Sequence, residues 1–365
     1  ENSPPASKRR TANRRISRAL MRVLIIKLTS MGDLMHALPA LTDAAKAIPG
    51  IEFDWVVDEA FAEVPKWHPA IKNIITTSHR RWKKSTWQTL TGGELRTFYQ
   101  ELNASDYDVI VDMQNNLKSA LVSLLRRGPV AGLDKHSCRE KPAHLAYKLP
   151  INVNPQQHAV DRMRQILSQA LNYPLPDTKA DYAADFRRYA LPELDFALPD
   201  KYLIFVQNAS WLSKMWPVKH WQRLVLIARE AGFSVLLPSG NDTEYQRAKQ
   251  IAIVDEVAHA LPRMSLNNMA ALMHRATGAV CSDTGLAHLA AVAGTPALTV
   301  YGSTDTALIG TYGKNQQHLV SDKSCSPCYK RSCPLKESDG GRPVCMQEMG
   351  PEMVWHGLEA LLAAK

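Results

Sequence analysis

"IIKLTSMGDLMHALPAL", residues 25–41, sets the reading of the whole chain. An apolar, strand-like run ends at Lys27, a short polar turn follows, and a helical pattern opens around Asp33. Gly32, the only glycine of the turn, permits a tight reversal. A turn built to cradle phosphate offers amides and cations, yet this one carries a bare carboxylate. Asp33 therefore has two readings. It is either an ordinary acid in a first helical turn, where negative charge is favoured, or a group whose charge acts on a ligand. Neither a G-x-G-x-x-G nor a G-x-x-x-x-G-K-[ST] pattern occurs at this turn, so no dinucleotide or Walker-type loop is implied.

Outward from this unit, strand-like and helix-like segments alternate. Candidate strands fall at 22–27, 52–57, 72–77, 108–112 and 129–133, then at 202–207, 233–237, 278–282 and 297–301, with a weaker one at 255–258. Amphipathic helical stretches at 157–172, 218–231, 265–276 and 285–293 lie between them. Such alternation predicts an α/β fold with parallel sheets covered by helices on both faces. The Pro- and Asp-rich stretch 173–200 interrupts the series, and a second series restarts after it. Two doubly wound domains are expected, 21–175 and 201–350, hinged at a linker over 176–200 and followed by a C-terminal helix over 351–365. Ligands of such sheets bind beyond the carboxyl ends of the strands, so the two domains should face each other across a cleft.

The 365 residues carry a net charge of +9, and its placement is uneven. Residues 1–20 hold Lys8, Arg9, Arg10, Arg14, Arg15 and Arg18 against Glu1, which leaves only about +4 for the rest. This arm reads as a disordered basic extension before the folded sequence that opens at Met21. No run approaches the ~20 apolar residues that span a bilayer, and no signal-peptide core is visible. The expectation is a cytoplasmic protein.

Two further stretches carry chemistry. In "VCSDTGLAHLAAVAGTPALTVYGSTD", residues 280–305, a strand ends at Ser282 and Asp283-Thr284-Gly285 opens a helix of small residues. The N–H groups of such a helix start favour an anion, and His288 lies one turn along the face of Thr284. In "FVQNASWLSKMWPVKHW", residues 205–221, a strand leads to a loop with Lys214, and Trp216-Pro217 opens a helix. A lysine there either neutralises a diphosphate or is simply solvated.

These residues carry a resemblance. The segment 21–69, with "RRWKK" (80–84), "SKMWPVKHW" (213–221), "LPSGNDTE" (237–244), "LPRMSL" (261–266), "SDTGLAHLAAVAGTP" (282–296) and "VYGSTDTALIGTYGKNQ" (300–316), resembles the lipopolysaccharide heptosyltransferases of glycosyltransferase family 9. The likeness is nearest to their heptosyltransferase I branch and spans roughly residues 21–316. It implies two Rossmann-like domains of the GT-B type and an inverting transfer of L-glycero-D-manno-heptose from ADP-heptose to a Kdo residue of Kdo-lipid A. Asp33 matches the family's general base. Ser210, Lys214, Glu244, Met264, Asp283, Thr284, Gly285 and His288 match donor positions. Arg80, Arg81, Lys83, Arg139 and Arg162 match basic positions of the acceptor cleft, as an anionic Kdo-lipid A requires.

The resemblance further implies that catalysis needs no metal and that the enzyme meets its acceptor peripherally, on the inner face of the inner membrane. Two positions depart from the family pattern. Asn115 stands in "DMQNNLKS" where a glycine is usual, and Ala209 and Ser210 stand where the nucleotide loop has two threonines.

Cys325, Cys328, Cys333 and Cys345 form a C-x2-C-x4-C-x11-C cluster. In a reducing compartment this spacing suits a structural zinc or iron, the alternative being four reduced thiols without metal. Three readings compete with the heptosyltransferase I assignment. Heptosyltransferase II or a relative with another acceptor shares the motifs. A nucleotide-sugar epimerase shares the architecture but needs no basic acceptor loops. A basic membrane- or nucleic-acid-binding protein would explain the charge alone, yet no nucleic-acid motif appears and most excess charge lies in the arm.

Overall fold

The computed structural model describes residues 20–84, 93–335, 337 and 342–364, with the backbone alone at residues 80, 83 and 84. The basic arm expected over 1–20 thus lies outside the described residues except for Leu20. Two six-stranded sheets form, and every strand pair in them is parallel. The first contains β1 (Arg22–Ile26), β2 (Glu52–Asp58), β3 (Ile71–Thr77), β4 (Val109–Asp112), β5 (Val130–Leu133) and β6 (Leu149–Ile151), in the order β3-β2-β1-β4-β5-β6. The second contains β7 (Tyr202–Val206), β8 (Ser234–Leu237), β9 (Ala258–Ala260), β10 (Gly278–Ser282), β11 (Ala297–Tyr301) and β12 (Gln316–Val320), in the order β12-β11-β10-β7-β8-β9.

Central strands such as β1, RVLII, and β10, GAVCS, are apolar with little alternation because helices cover both of their faces. In the first half these are α1 (Met31–Met35), α2 (Leu38–Ala47), α3 (His79–Lys84), α4 (Glu94–Leu102), α5 (Leu117–Leu124) and α6 (Ala159–Leu171). In the second half they are α7 (Val218–Glu230), α8 (Asp242–Ala252), α9 (Leu266–Arg275), α10 (Gly285–Val292), α11 (Thr306–Ile309), α12 (Val344–Glu348) and α13 (Pro351–Ala363). The strand order reverses between β1 and β4 in one sheet and between β7 and β10 in the other. Chain leaving neighbouring strands there diverges to opposite faces and opens a crevice. The Asp33 turn follows β1, the Lys214 loop follows β7, and Asp283 follows β10, so all three issue from those two switch points.

The strand expected at 255–258 lies instead at Ala258–Ala260, after a turn in which Asp255 accepts the amide of Val257. Residues 173–200 form no helix or strand, yet they are not a free hinge. Phe186 is buried with its ring centroid 5.1 Å from that of Trp67, Arg188 donates to the carbonyl of Lys66, and the Tyr182 hydroxyl donates to the carbonyl of Tyr312 at 2.8 Å. Phe196 stacks on His259 at 4.0 Å. The segment is a strap fastened to both halves.

Asn115 shows what the missing glycine costs. Its φ is 55°, in the left-handed region, which asparagine tolerates better than most residues. The side chain it adds is used, since Oδ1 accepts the amide of Leu133 at 2.6 Å.

Candidate active site

The two halves meet at their helix starts. A Cβ at Gly32 would stand 2.6 Å from Cδ2 of His288, and one at Gly285 would stand 2.7 Å from Cε of Met31. Each glycine thus makes room for a side chain of the opposite turn, and any larger residue would push the turns apart. His36, one helical turn beyond Gly32, places Nε2 3.2 Å from Nδ1 of His288. His158 packs edge-on against His36 with centroids 5.6 Å apart, and its Nε2 lies 3.0 Å from the carbonyl oxygen of Gly310. Tyr312 closes the group, its ring 4.6 Å from that of His158 and its hydroxyl donating to Asp161. Of the histidines and Tyr312 in this group, the sequence singled out only His288.

Burial pushes His288 down to about 4, despite the nearby carboxylates of Asp283 and Asp33. Burial likewise lowers His36 and His158. These folded-state values lie below the ordinary imidazole value, so in mild acid the unfolded chain binds protons that the folded one refuses. Stability should be complete above about pH 6.5 and fall as pH drops toward 4, with His288 alone contributing on the order of 3 kcal/mol. Denaturant titrations at pH 7 and pH 5 should show a lower midpoint at pH 5, and His288→Asn should narrow the gap. Equal midpoints for the parent chain would contradict this account.

On the first half, Asp33 accepts from the amide of Ser30 at 2.9 Å and from its hydroxyl at 2.7 Å, both through Oδ2. The capping role and the chemical one are thus compatible, because among the described residues no other bond of its side chain competes for Oδ1. Two cations, Lys27 and Arg162, feel this carboxylate. Lys27 is buried, donates to the carbonyl of Met113 at 2.9 Å and has its pKa lowered by that burial. Arg162 is lowered by burial, partly offset by the attraction of Asp33, and it also feels the charge of Arg139. Among the described residues its Nε is buried without a hydrogen-bond partner. The amides of Leu28 and Thr29 are held by Oε1 of Gln114 at 3.0 and 3.1 Å, which ties the turn after β4 to the turn after β1.

Arg81 is not free. It donates to Glu59 at 3.1 Å and to Glu94. The side chains of Arg80, Lys83 and Lys84 lie outside the described residues.

On the second half, Lys214 lies 2.6 Å from Oδ2 of Asp283 and 4.7 Å from the ring centre of Trp211. The same carboxylate oxygen accepts from the hydroxyl of Thr304. Thr284 precedes α10 in extended conformation without a side-chain capping bond, so its hydroxyl leaves the first-turn amides uncapped. Glu244 accepts the amide of Gly240 at 2.8 Å, Met264 packs against the core, and Ser210 is exposed. Cys325, Cys328, Cys333 and Cys345 line one cavity of about 170 Å³ beside Gly302. Among the described residues no group of three or more His, Cys, Asp or Glu is arranged to hold a metal ion. The zinc or iron centre suggested by their spacing is thus not preassembled among the described residues, although the four cysteines share one cavity. Cys138 and Cys281 are buried apart from it.

Two parallel six-stranded sheets facing across a cleft, with a carboxylate on one side and a cation on the other, have the architecture of the GT-B glycosyltransferases. The glycosyltransferase family 9 (heptosyltransferase) model matches residues 95–338, and the chain belongs to this family. It is 45% identical over 354 residues to lipopolysaccharide heptosyltransferase 1 of Pseudomonas aeruginosa, covering 94% of this chain and 99% of that protein. The Escherichia coli K12 heptosyltransferase 1 is 42% identical over 297 residues, covering 81% and 92% respectively. The solved E. coli heptosyltransferase WaaC with ADP superposes with a TM-score of 0.82 at 37% identity, covering 93% of this chain and all of that one.

Proposed function

We propose that this enzyme moves L-glycero-D-manno-heptose from ADP-heptose to a Kdo residue of Kdo-lipid A by direct, inverting displacement. The observation that carries the reading is the reciprocal packing of Gly32 against His288 and of Gly285 against Met31. It brings the Asp33 turn and the Asp283-Thr284-Gly285 turn to one cleft. The E. coli relative was solved with ADP; in this chain the donor is assigned to the second half, with Ser210, Lys214, Glu244, Met264, Asp283, Thr284, Gly285 and His288 around it. An ammonium has three donors, and Asp283 uses one of those on Lys214, so two remain for phosphate oxygens. Together with the amides at 284–285 they meet charge growing on the departing ADP. Asp33 takes the proton of the acceptor hydroxyl as that oxygen attacks the anomeric carbon. Arg162, beside Asp33, and Arg139, whose charge Arg162 feels, hold the anionic acceptor. Arg80, Arg81 and Lys83 lie further along the same half, and Arg81 must exchange Glu59 or Glu94 to join them.

The family needs no catalytic cofactor. Transfer is expected to persist in EDTA, because the lysine and the helix amides stand where other transferases place a divalent cation; activity lost in EDTA and restored by magnesium would contradict this. A structural zinc or iron at the four cysteines is a separate proposal, supported by their shared cavity. About one metal per chain, released in Cys328→Ser, supports it; four titratable thiols in metal-free protein reject it.

Among the described residues no helix is long and apolar enough to cross a membrane. The acceptor is an amphiphile, so the enzyme meets it at the surface of the inner membrane. Incubation with ADP-heptose and a panel of lipid A acceptors, read by mass spectrometry, tests the assignment. Addition of one heptose to Kdo-lipid A supports it. Transfer only to an acceptor that already carries heptose supports the heptosyltransferase II alternative.

A further inference from the structure

Helix α5 is built inside out. Leu117, Leu121 and Leu124, with Leu125 directly after, share one helical face by their spacing, and that face is the exposed one. Leu121 is 64% exposed and Leu124 is 62% exposed. The inward face is made of Ser119, Ala120, Val122 and Ser123, whose two hydroxyls are satisfied by the carbonyls of Asn116 and Ala120. An ordinary surface helix does the reverse. The neighbouring turn 141–146 packs on α5 and adds Leu145, 79% exposed, and β6 opens on the exposed Leu149. The four leucines of α5 and its end thus form with Leu145 one apolar surface, of the kind that marks an interaction site.

The border of this surface is cationic. Lys118, Arg127, Arg139, Lys141 and Lys148 are exposed around it. The nearby acid, Glu140, is occupied in accepting the amide of Leu117 at 2.9 Å. Another protein would need no ring of lysine and arginine, whereas an anionic bilayer matches both parts. Leucines enter the boundary of the acyl chains while the cations stay with headgroup phosphates.

We infer that α5 and the turn 141–146 are the membrane-docking face of this enzyme, seating Leu117, Leu121, Leu124 and Leu145 in an anionic leaflet. The inference deepens the reading of a lipid acceptor and rests on it. It also explains placement. α5 begins just after Gln114, whose side chain holds the amides of Leu28 and Thr29 in the turn that carries Asp33. A docked α5 therefore holds the Asp33 turn close to the headgroup layer where the Kdo sugar lies.

The test uses the full chain, vesicles of phosphatidylethanolamine with phosphatidylglycerol, and the double variant L121S/L124S. Sedimentation should show vesicle affinity falling about tenfold or more in the variant. Transfer to Kdo-lipid A in vesicles should fall with it, and transfer to a deacylated, water-soluble Kdo acceptor should stay at the parent rate. In Leu124→Trp the indole emission should move to the blue on adding the same vesicles. Unchanged sedimentation, or no emission shift, would overturn the proposal. A dimer of the parent chain that L121S/L124S converts to monomer, without change in vesicle binding, would also overturn it and make the face a subunit contact. Failure of the parent chain on both acceptors would instead remove the transferase reading itself.

Discussion

Asp33→Asn is expected to lower turnover by roughly 10²–10⁴-fold while ADP binding and the fold are retained. The substitution is almost isosteric, and an amide oxygen can still accept from the amide and hydroxyl of Ser30, so the first turn of α1 survives. What is lost is basicity at the atom facing the cleft. The attacking hydroxyl then keeps its proton into the transition state, and no other carboxylate among the described residues stands ready to take it. His288 and His36 are neutral but spend nitrogens on each other across the cleft. Near-parental turnover in the variant would reduce Asp33 to a helix cap. Donor binding measured by calorimetry separates this result from misfolding.

Lys214→Ala carries the second large effect. The diphosphate loses a charge-assisted partner, which weakens ADP binding by roughly 10–150-fold, or about 1.5–3 kcal/mol. A second consequence follows from the pairing with Asp283. That carboxylate is 5% exposed and, among the described residues, would keep the hydroxyl of Thr304 as its hydrogen-bond donor, next to an incoming anionic donor substrate. Lys214→Arg should recover part of the affinity, because the charge returns while the short contact to Asp283 must adjust. ADP affinity unchanged in Lys214→Ala would mean that the lysine serves Asp283 alone.

The two doubly wound halves were legible because β1, β4, β7, β10 and β11 are short apolar runs that end in turns opening helices. The edges were not. β12, QQHLV, is mostly polar, and β6, LPI, is three residues long with two of them exposed, so neither shows the apolar run of a central strand. Asp33 and the Asp283-Thr284-Gly285-His288 set stood out because each sits at a strand-to-helix turn. Their partners could not be read in the same way. His36 and His158 are unremarkable within their own helices, and only the docking of the halves brings them to His288. The engagement of Arg81 by Glu59 and Glu94, across 22 and 13 residues of chain, likewise has no local signal. The leucines of α5 carry no sequence signal that sets them apart, since periodicity gives a face but not which way it points.

The central claim is a single displacement across the cleft, with the acceptor oxygen deprotonated on the Asp33 side and ADP leaving on the Lys214 side. The anomeric configuration of the product tests it most directly. A β-linked ADP-heptose, turned over by the purified chain with Kdo-lipid A and examined by the one-bond carbon–proton coupling of the new anomeric centre, should give an α-linked heptose. A β-linked product would require retention, by two displacements or by front-face attack, and would contradict the direct inverting displacement with Asp33 as base.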